Sequence, residues 1–314
     1  MDIVFGPVPS RRLGRSLGIN NIPPKHCSYS CIYCQVGPTA APEIMPRALH
    51  APEEIFRQVA RRLEAARAQG EAVDYLTFVP DGEPTLDVHL AAAIDALKPL
   101  GLPVAVISNA SLISRPEVRE ILAHADWVSL KVDSVDETTW RRINRPHSAL
   151  RLPEILDGIR TFAADFRGTL ASETLLVSGI NDSVVAVGAV ADFLGAAGIR
   201  LAYLSIPHRP PSEKTVACPD EATVARAWQR MSERVARVEL LTAYEGDSFA
   251  PLDDPRAQLL AVTAVHPMRA SAVGALLAKA GLDMTVAREL VAAGELREVS
   301  HGGEVFFIRR LRRE

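Results

Sequence analysis

From the N-terminus to about residue 206, short apolar runs of strand length alternate with longer segments of helical periodicity. Residues 17–19, 75–79, 104–107, 127–132, 170–177 and 201–206 read as strands. Residues 57–68, 87–97, 116–123, 152–164 and 184–197 read as the helices between them. A strand followed by a crossover helix returns the chain parallel to itself, so this order predicts a mostly parallel sheet covered by helices. Roughly six such units fall short of the eight that close a barrel. The expectation is therefore an α/β fold built as an open, partial (β/α)6 barrel. In such folds the chemistry gathers at the C-terminal ends of the strands.

The pattern changes near residues 244–254, a polar stretch with Gly, Asp and Pro that reads as a linker. Beyond it, residues 256–265, 269–280 and 285–293 read as helices, the last two ended by Gly281 and Gly294, which suit left-handed caps. Runs on either side of His301-Gly302-Gly303 predict a hairpin. Two domains are expected: a barrel over residues 1–245 and a small module over 255–314 resembling a winged helix-turn-helix.

Composition narrows the function classes. The 314 residues are 48% apolar, enough for a large core, and the net charge of −3 excludes a globally basic nucleic-acid surface. No apolar run reaches the ~20 residues of a membrane span, and the N-terminal stretch, carrying Arg11, Arg12 and Arg15, has no secretory core. A soluble, cytoplasmic protein with no membrane partner is expected.

Three of the four cysteines, Cys27, Cys31 and Cys34, sit within eight residues, and the fourth, Cys218, is remote. A disulfide framework spreads its cysteines, whereas clustered thiolates suit an iron–sulfur cluster or zinc. Zinc wants four ligands in a closed site, and only three cysteines are local. Three thiolates on one loop hold three corners of a four-iron cube and leave the fourth iron open.

The spacing Cys27-x3-Cys31-x2-Cys34, with the aromatic Tyr33 before the last cysteine, resembles the signature of the radical S-adenosylmethionine (SAM) superfamily. Asp81-Gly82-Glu83-Pro84, after the second strand, is similar to that family's Gly-Gly-Glu-Pro motif, with Asp81 in place of the first glycine. The resemblance implies a [4Fe-4S] cluster on Cys27, Cys31 and Cys34. It also implies SAM as cosubstrate, with Gly82 and Glu83 near its amino group and Asn109, after Ser108, near its ribose. The implied activity is reductive cleavage of SAM to a 5′-deoxyadenosyl radical that abstracts hydrogen from a substrate. A one-electron reductant such as flavodoxin or ferredoxin is the implied partner.

Other polar residues fall on strands. Period-two alternation puts Ser129, Lys131 and Asp133 on one face, where a barrel interior tolerates charge only if it is paired. Lys131 and Asp133 are expected to pair with each other or to meet SAM, and Glu173 to face the cavity or a strand edge. Arg11, Arg12 and Arg15 read as solvated loop charges or as anion contacts. His208 and Arg209 are further substrate candidates, and Cys218 reads as incidental.

The substrate is less legible. Phe5-Gly6-Pro7-Val8-Pro9-Ser10-Arg11-Arg12-Leu13-Gly14 resembles a radical SAM group related to wyosine-type tRNA modification enzymes. The basic tail (Arg309, Arg310, Arg312, Arg313) adds a possible phosphate contact. RNA is thus one substrate class. A glycyl-radical or peptide-modifying enzyme is a second reading, and a redox-sensing DNA-binding regulator, with no enzymatic role, is a third.

Overall fold

The computed structural model describes residues 3–242, 254–265 and 267–310. Its centre is an eight-stranded sheet in sequence order: β1 (Val4–Ser10), β2 (Gly14–Ile19), β3 (Tyr75–Phe78), β4 (Val104–Ser108), β5 (Trp127–Lys131), β6 (Thr169–Leu175), β7 (Leu201–Ser205) and β8 (Arg237–Leu241). β1 pairs antiparallel with β2, and every later pairing through β8 is parallel. The sheet curls into a half barrel.

The helices are α1 (Pro52–Ala68), α2 (Leu90–Leu97), α3 (Pro116–Ala123), α4 (Glu137–Asn144), α5 (Leu152–Asp165), α6 (Val184–Ala196) and α7 (Glu221–Ser232). Outward strand residues such as Leu76, Phe78, Val106, Val128 and Leu130 pack with Ile55, Val59 and Ile94 in one buried core. Each buried side chain of this kind contributes about 1.5–3 kcal/mol.

The sheet is larger than the expected six-unit barrel. β1 carries Pro7 and Pro9, which break a central strand but are tolerated at an edge. β8 is five residues of Arg237-Val238-Glu239-Leu240-Leu241, a half-exposed edge with little apolar signal. Helix α4 was also unforeseen, being polar except for Trp140 and Ile143.

The turn between β1 and β2 folds into the concave face. Leu13 packs there against Ala105, Trp127, Ala171, Tyr203 and Leu241, filling one end of the half barrel. Arg11 donates to the Leu241 carbonyl at the opposite edge of the sheet. A hairpin thereby spans the gap that an incomplete barrel leaves.

The C-terminal residues form α8 (Pro255–Val265), β9 (Met268–Arg269), α9 (Ala270–Lys279), α10 (Thr285–Ala292), β10 (Leu296–His301) and β11 (Glu304–Arg309), with a small antiparallel sheet in the order β10-β11-β9. Strand β9 was not anticipated. The apolar core here includes Leu259, Val273, Leu276 and Phe307 together with Phe5 and Val8 of β1. His301 Nε2 also meets the Pro207 carbonyl at 3.0 Å. Most of the expected linker, together with Arg312 and Arg313, lies outside the described residues.

Candidate active site

A cavity of about 320 Å³ occupies the concave side of the sheet. Cys27, Cys31 and Cys34 line one wall, and Lys131, Glu173 and Ser205 line the other. The cysteine loop follows β2 and is pinned by α4. Ile32 N donates to Ile143 O at 2.9 Å, Ser30 N to Asn144 O at 3.0 Å, and Trp140 Nε1 to Tyr29 Oη at 3.2 Å. A second clamp comes from the segment after β3: Lys25 N donates to Asp81 O at 3.1 Å and Glu83 N to His26 O at 3.0 Å.

That second clamp explains Gly82. A Cβ added there would lie 2.1 Å from the His26 carbonyl oxygen, a backbone atom that cannot yield cheaply. Gly82 lines the cavity, as expected of a close approach to a ligand, but its lack of side chain is first required by the cysteine loop.

Each sulfur of the cluster motif accepts a hydrogen bond from a different part of the chain. Lys25 Nζ lies 3.3 Å from Cys34 Sγ, Asn144 Nδ2 3.4 Å from Cys31 Sγ, and Asn109 Nδ2 3.5 Å from Cys27 Sγ. Burial pushes the Cys31 thiol up to about 12, with Asp133 adding to the rise and the Asn144 bond opposing it. Burial, followed by the neighbouring Cys31, raises Cys27 still further. Thiols so placed hold their protons against water, and binding of a soft metal to the sulfurs releases those protons to solvent.

Several candidates sit differently from expectation. The Glu83 carboxylate is 1% exposed and turned into the protein, away from the cavity. It accepts from Thr85 N (3.2 Å), Thr85 Oγ1, Ser108 Oγ and Asn109 N, the last three at 2.7 Å. Burial pushes its carboxyl up, and those bonds pull it back only in part. Glu83 and Ser108 thus tie the ends of β3 and β4 together. Asn109, expected near a ribose, turns its amide to Cys27 and Ser28. Asp133, just past β5 with a fully covered side chain, does pair with Lys131 as expected, at 3.8 Å. It accepts from Tyr33 Oη, Asn144 Nδ2 (2.8 Å) and Leu175 N (2.9 Å).

Lys131 and Glu173 do face the cavity, and the N-terminal arginines correct the solvated-loop reading. Arg12 enters the barrel and pairs with Glu173. Glu173 also receives Lys131 Nζ at 3.3 Å and Ser205 Oγ at 2.9 Å. Burial alone would raise its carboxyl, but Arg12 and Lys131 outweigh that and hold it well below the usual carboxylate range. Arg15 pairs with Glu71, and Arg11 reaches His208 Nε2 at 3.2 Å. Arg209 donates to Gln35 Oε1 at 2.9 Å. Cys218 is exposed and donates to Pro207 O.

One residue with no assigned role in the sequence reading stands out. Asp81 lines the cavity at 3% exposure, and among the described residues neither carboxylate oxygen has a hydrogen-bond partner. Burial raises its carboxyl to about 6; the nearby Asn20 amide and the turn's own backbone, and then the charges of Lys25 and Arg309, offset part of the rise. Its place in the Asp81-Gly82-Glu83-Pro84 turn was the only sequence signal. Lys25 was signalled only by lying beside the cysteine cluster, and Asn144, more than a hundred residues downstream, by nothing.

A half barrel with a Cys-x3-Cys-x2-Cys loop after its first parallel strand defines a class. Residues 21–187 match the radical SAM superfamily, and the chain belongs to it. Its members are SAM-dependent iron–sulfur enzymes that use a [4Fe-4S] cluster. Within that class, the chain is 41% identical to a UPF0026 protein of Methanocaldococcus jannaschii, over 99% of this chain and 97% of that one. The fold is similar to that of TYW1 with a lysine–pyruvate adduct bound (TM-score 0.56, 17% identity, 71% of this chain and 76% of that one). It is equally similar to a radical SAM methyltransferase from Sphaerobacter thermophilus (TM-score 0.56, 16% identity, 73% of this chain and 67% of that one).

Proposed function

We propose that Cys27, Cys31 and Cys34 hold the [4Fe-4S] cluster and that SAM occupies the adjoining cavity, with Gly82 and Asp81 beside its ammonium group. The observation that carries this reading is the company of Asp81. A buried carboxylate without a donor is costly unless a ligand supplies one, and this one lines the same cavity as the three thiols. When bound, the pair supplies one-electron reductive cleavage of the sulfonium and then hydrogen abstraction from the substrate.

The chain's own residues do the rest. Asn144 and α4 fix the cysteine loop. Glu83 and Ser108 hold the turn that carries Asp81 and Gly82. Arg12, Lys131 and Glu173 form a fixed ionic wall opposite the sulfurs, and Leu13 closes one end of the space against water. Tyr33, packed between Lys131 and Asp133, keeps the loop against that wall.

For the substrate, the cavity favours an anionic molecule. Its lining carries five cationic side chains, Arg11, Arg12, Lys25, Lys131 and Arg209, against the two carboxylates Asp81 and Glu173, in a chain of net charge −3. RNA is the class to test first, with the C-terminal module read as winged-helix-like and available to phosphates. The electron is assigned to a one-electron reductant such as flavodoxin or ferredoxin, and the protein to the cytoplasm. Among the described residues no helix is long and apolar enough to cross a membrane.

The test has two arms. Anaerobically reconstituted, reduced protein is expected to convert SAM to 5′-deoxyadenosine and methionine; an iron-loaded, reduced protein that leaves SAM intact overturns the assignment. Modified nucleosides of a deletion strain are expected to differ from wild type; identical nucleoside profiles remove RNA as the substrate.

A further inference from the structure

Resting on that cluster assignment, we infer that Lys25, Asn144 and Asn109 set the reduction potential of the cluster, with Lys25 dominant. All three cysteine sulfurs accept a side-chain N–H, each from a separate element. Lys25 lies in the loop after β2, Asn109 ends β4, and Asn144 ends α4. Three independent parts of the fold therefore converge on the same three atoms.

The chemistry follows from where the added electron goes. Reducing a thiolate-bound cluster increases the negative charge on its sulfurs. Donors aimed at those sulfurs stabilise the reduced form more than the oxidised one and raise the potential. Lys25 makes the shortest of the three contacts, 3.3 Å, and brings a full positive charge as well as an N–H. Its position is held from the backbone, because Lys25 N is bonded to the Asp81 carbonyl at 3.1 Å. Asn144 is a neutral donor at 3.4 Å, also fixed by Asp133 at 2.8 Å. Asn109 is the longest, at 3.5 Å, and shares its amide with Ser28 Oγ at 3.0 Å.

This arrangement has a consequence for the enzyme. A cluster that reduces SAM must be a strong reductant, yet it must also be reducible by a biological donor. A lysine on one sulfur moves the balance toward reducibility. It sits at Cys34, on the cavity-lining stretch that continues into Gln35 and Val36.

The test is a potentiometric titration of the reconstituted full chain without SAM, followed by electron paramagnetic resonance of the reduced cluster. Lys25→Met retains the stem and loses charge and donor, and Lys25→Arg retains both. At a fixed solution potential near the wild-type midpoint, Lys25→Met is expected to show a ratio of reduced to oxidised cluster about tenfold lower, which is a shift of about 59 mV for one electron. Lys25→Arg is expected to stay within about twofold of wild type. Asn109→Ala is expected to move the ratio less than Lys25→Met does. Should Lys25→Met fail to hold its iron, Lys25→Gln, a neutral donor, is read in its place. A wild-type potential in whichever variant is fully loaded overturns the inference. So does loss of iron from both, which makes Lys25 a loop anchor. Failure of the cluster assignment itself looks different, because the wild-type chain would then take up no cluster at all.

Discussion

The two walls of the cavity differ in whether the protein completes them. On the β5–β7 side, Arg12, Lys131 and Ser205 all bond Glu173, so its charge is matched within the protein, although Arg12 Nε has no partner among the described residues. On the cysteine side, three half-buried sulfurs each take a long N–H contact, and Asp81 has no carboxylate partner among the described residues. Burying an ion costs several kcal/mol unless it is matched. The paired wall reads as scaffold, and the other is where the proposed cofactor site lies.

Substitutions on either wall sharpen that contrast. The largest effect is expected from Cys31→Ala, which removes one of the proposed corner ligands: reconstituted wild type should hold about four irons per chain, and the variant essentially none by iron assay. Next, Glu173→Ala breaks the paired wall, taking from Arg12 its carboxylate and leaving Lys131 with Asp133, 3.8 Å away. It should lower the unfolding free energy by about 3 kcal/mol in denaturant titrations. A loss of less than about 0.5 kcal/mol would mean that the wall is not structural.

A smaller effect is expected from Asp81→Asn, about tenfold weaker SAM binding near pH 8, or 1.4 kcal/mol, with iron content unchanged. The pH dependence carries a sign. Burial raises the Asp81 carboxyl to about 6, so above that pH it is ionised and accepts from an ammonium, and below it the acceptor is lost. SAM affinity in the wild type should therefore fall as pH drops through about 6, and Asp81→Asn should remove that dependence. Calorimetric titrations that give the same slope for both proteins would detach Asp81 from the ligand.

Glu83→Gln is expected to do least to SAM affinity, changing it by less than about threefold (0.65 kcal/mol), because among the described residues that side chain bonds only to Thr85, Ser108 and Asn109. An effect as large as that of Asp81→Asn would return Glu83 to the ligand's side. Truncation before Pro255 addresses another boundary. It uncovers Phe5 and Val8, so a lower melting temperature is expected, and an unchanged one would show that the C-terminal module is only loosely docked.

The parts of this protein that were legible in the sequence are those that local pattern encodes. The alternation of apolar runs with helical periods determined a parallel α/β sheet, because side-chain period follows from strand and helix geometry alone. The cysteine spacing determined the class of cofactor, since three thiols in eight residues can face one cluster from a single loop. Tertiary structure decided the rest. β1 and β8 are strands only because a sheet edge accepts prolines and charges. Arg12 is a barrel ion because a hairpin folds inward to Glu173, 161 residues away. Asn144 reaches Cys31 across 113 residues. Glu83 and Asp81, two residues apart in one motif, have different surroundings, Asp81 lining the cavity and Glu83 not, in a turn held by the backbone bonds at Lys25 and His26. Those roles rest on contacts distant in sequence, and no local pattern records them.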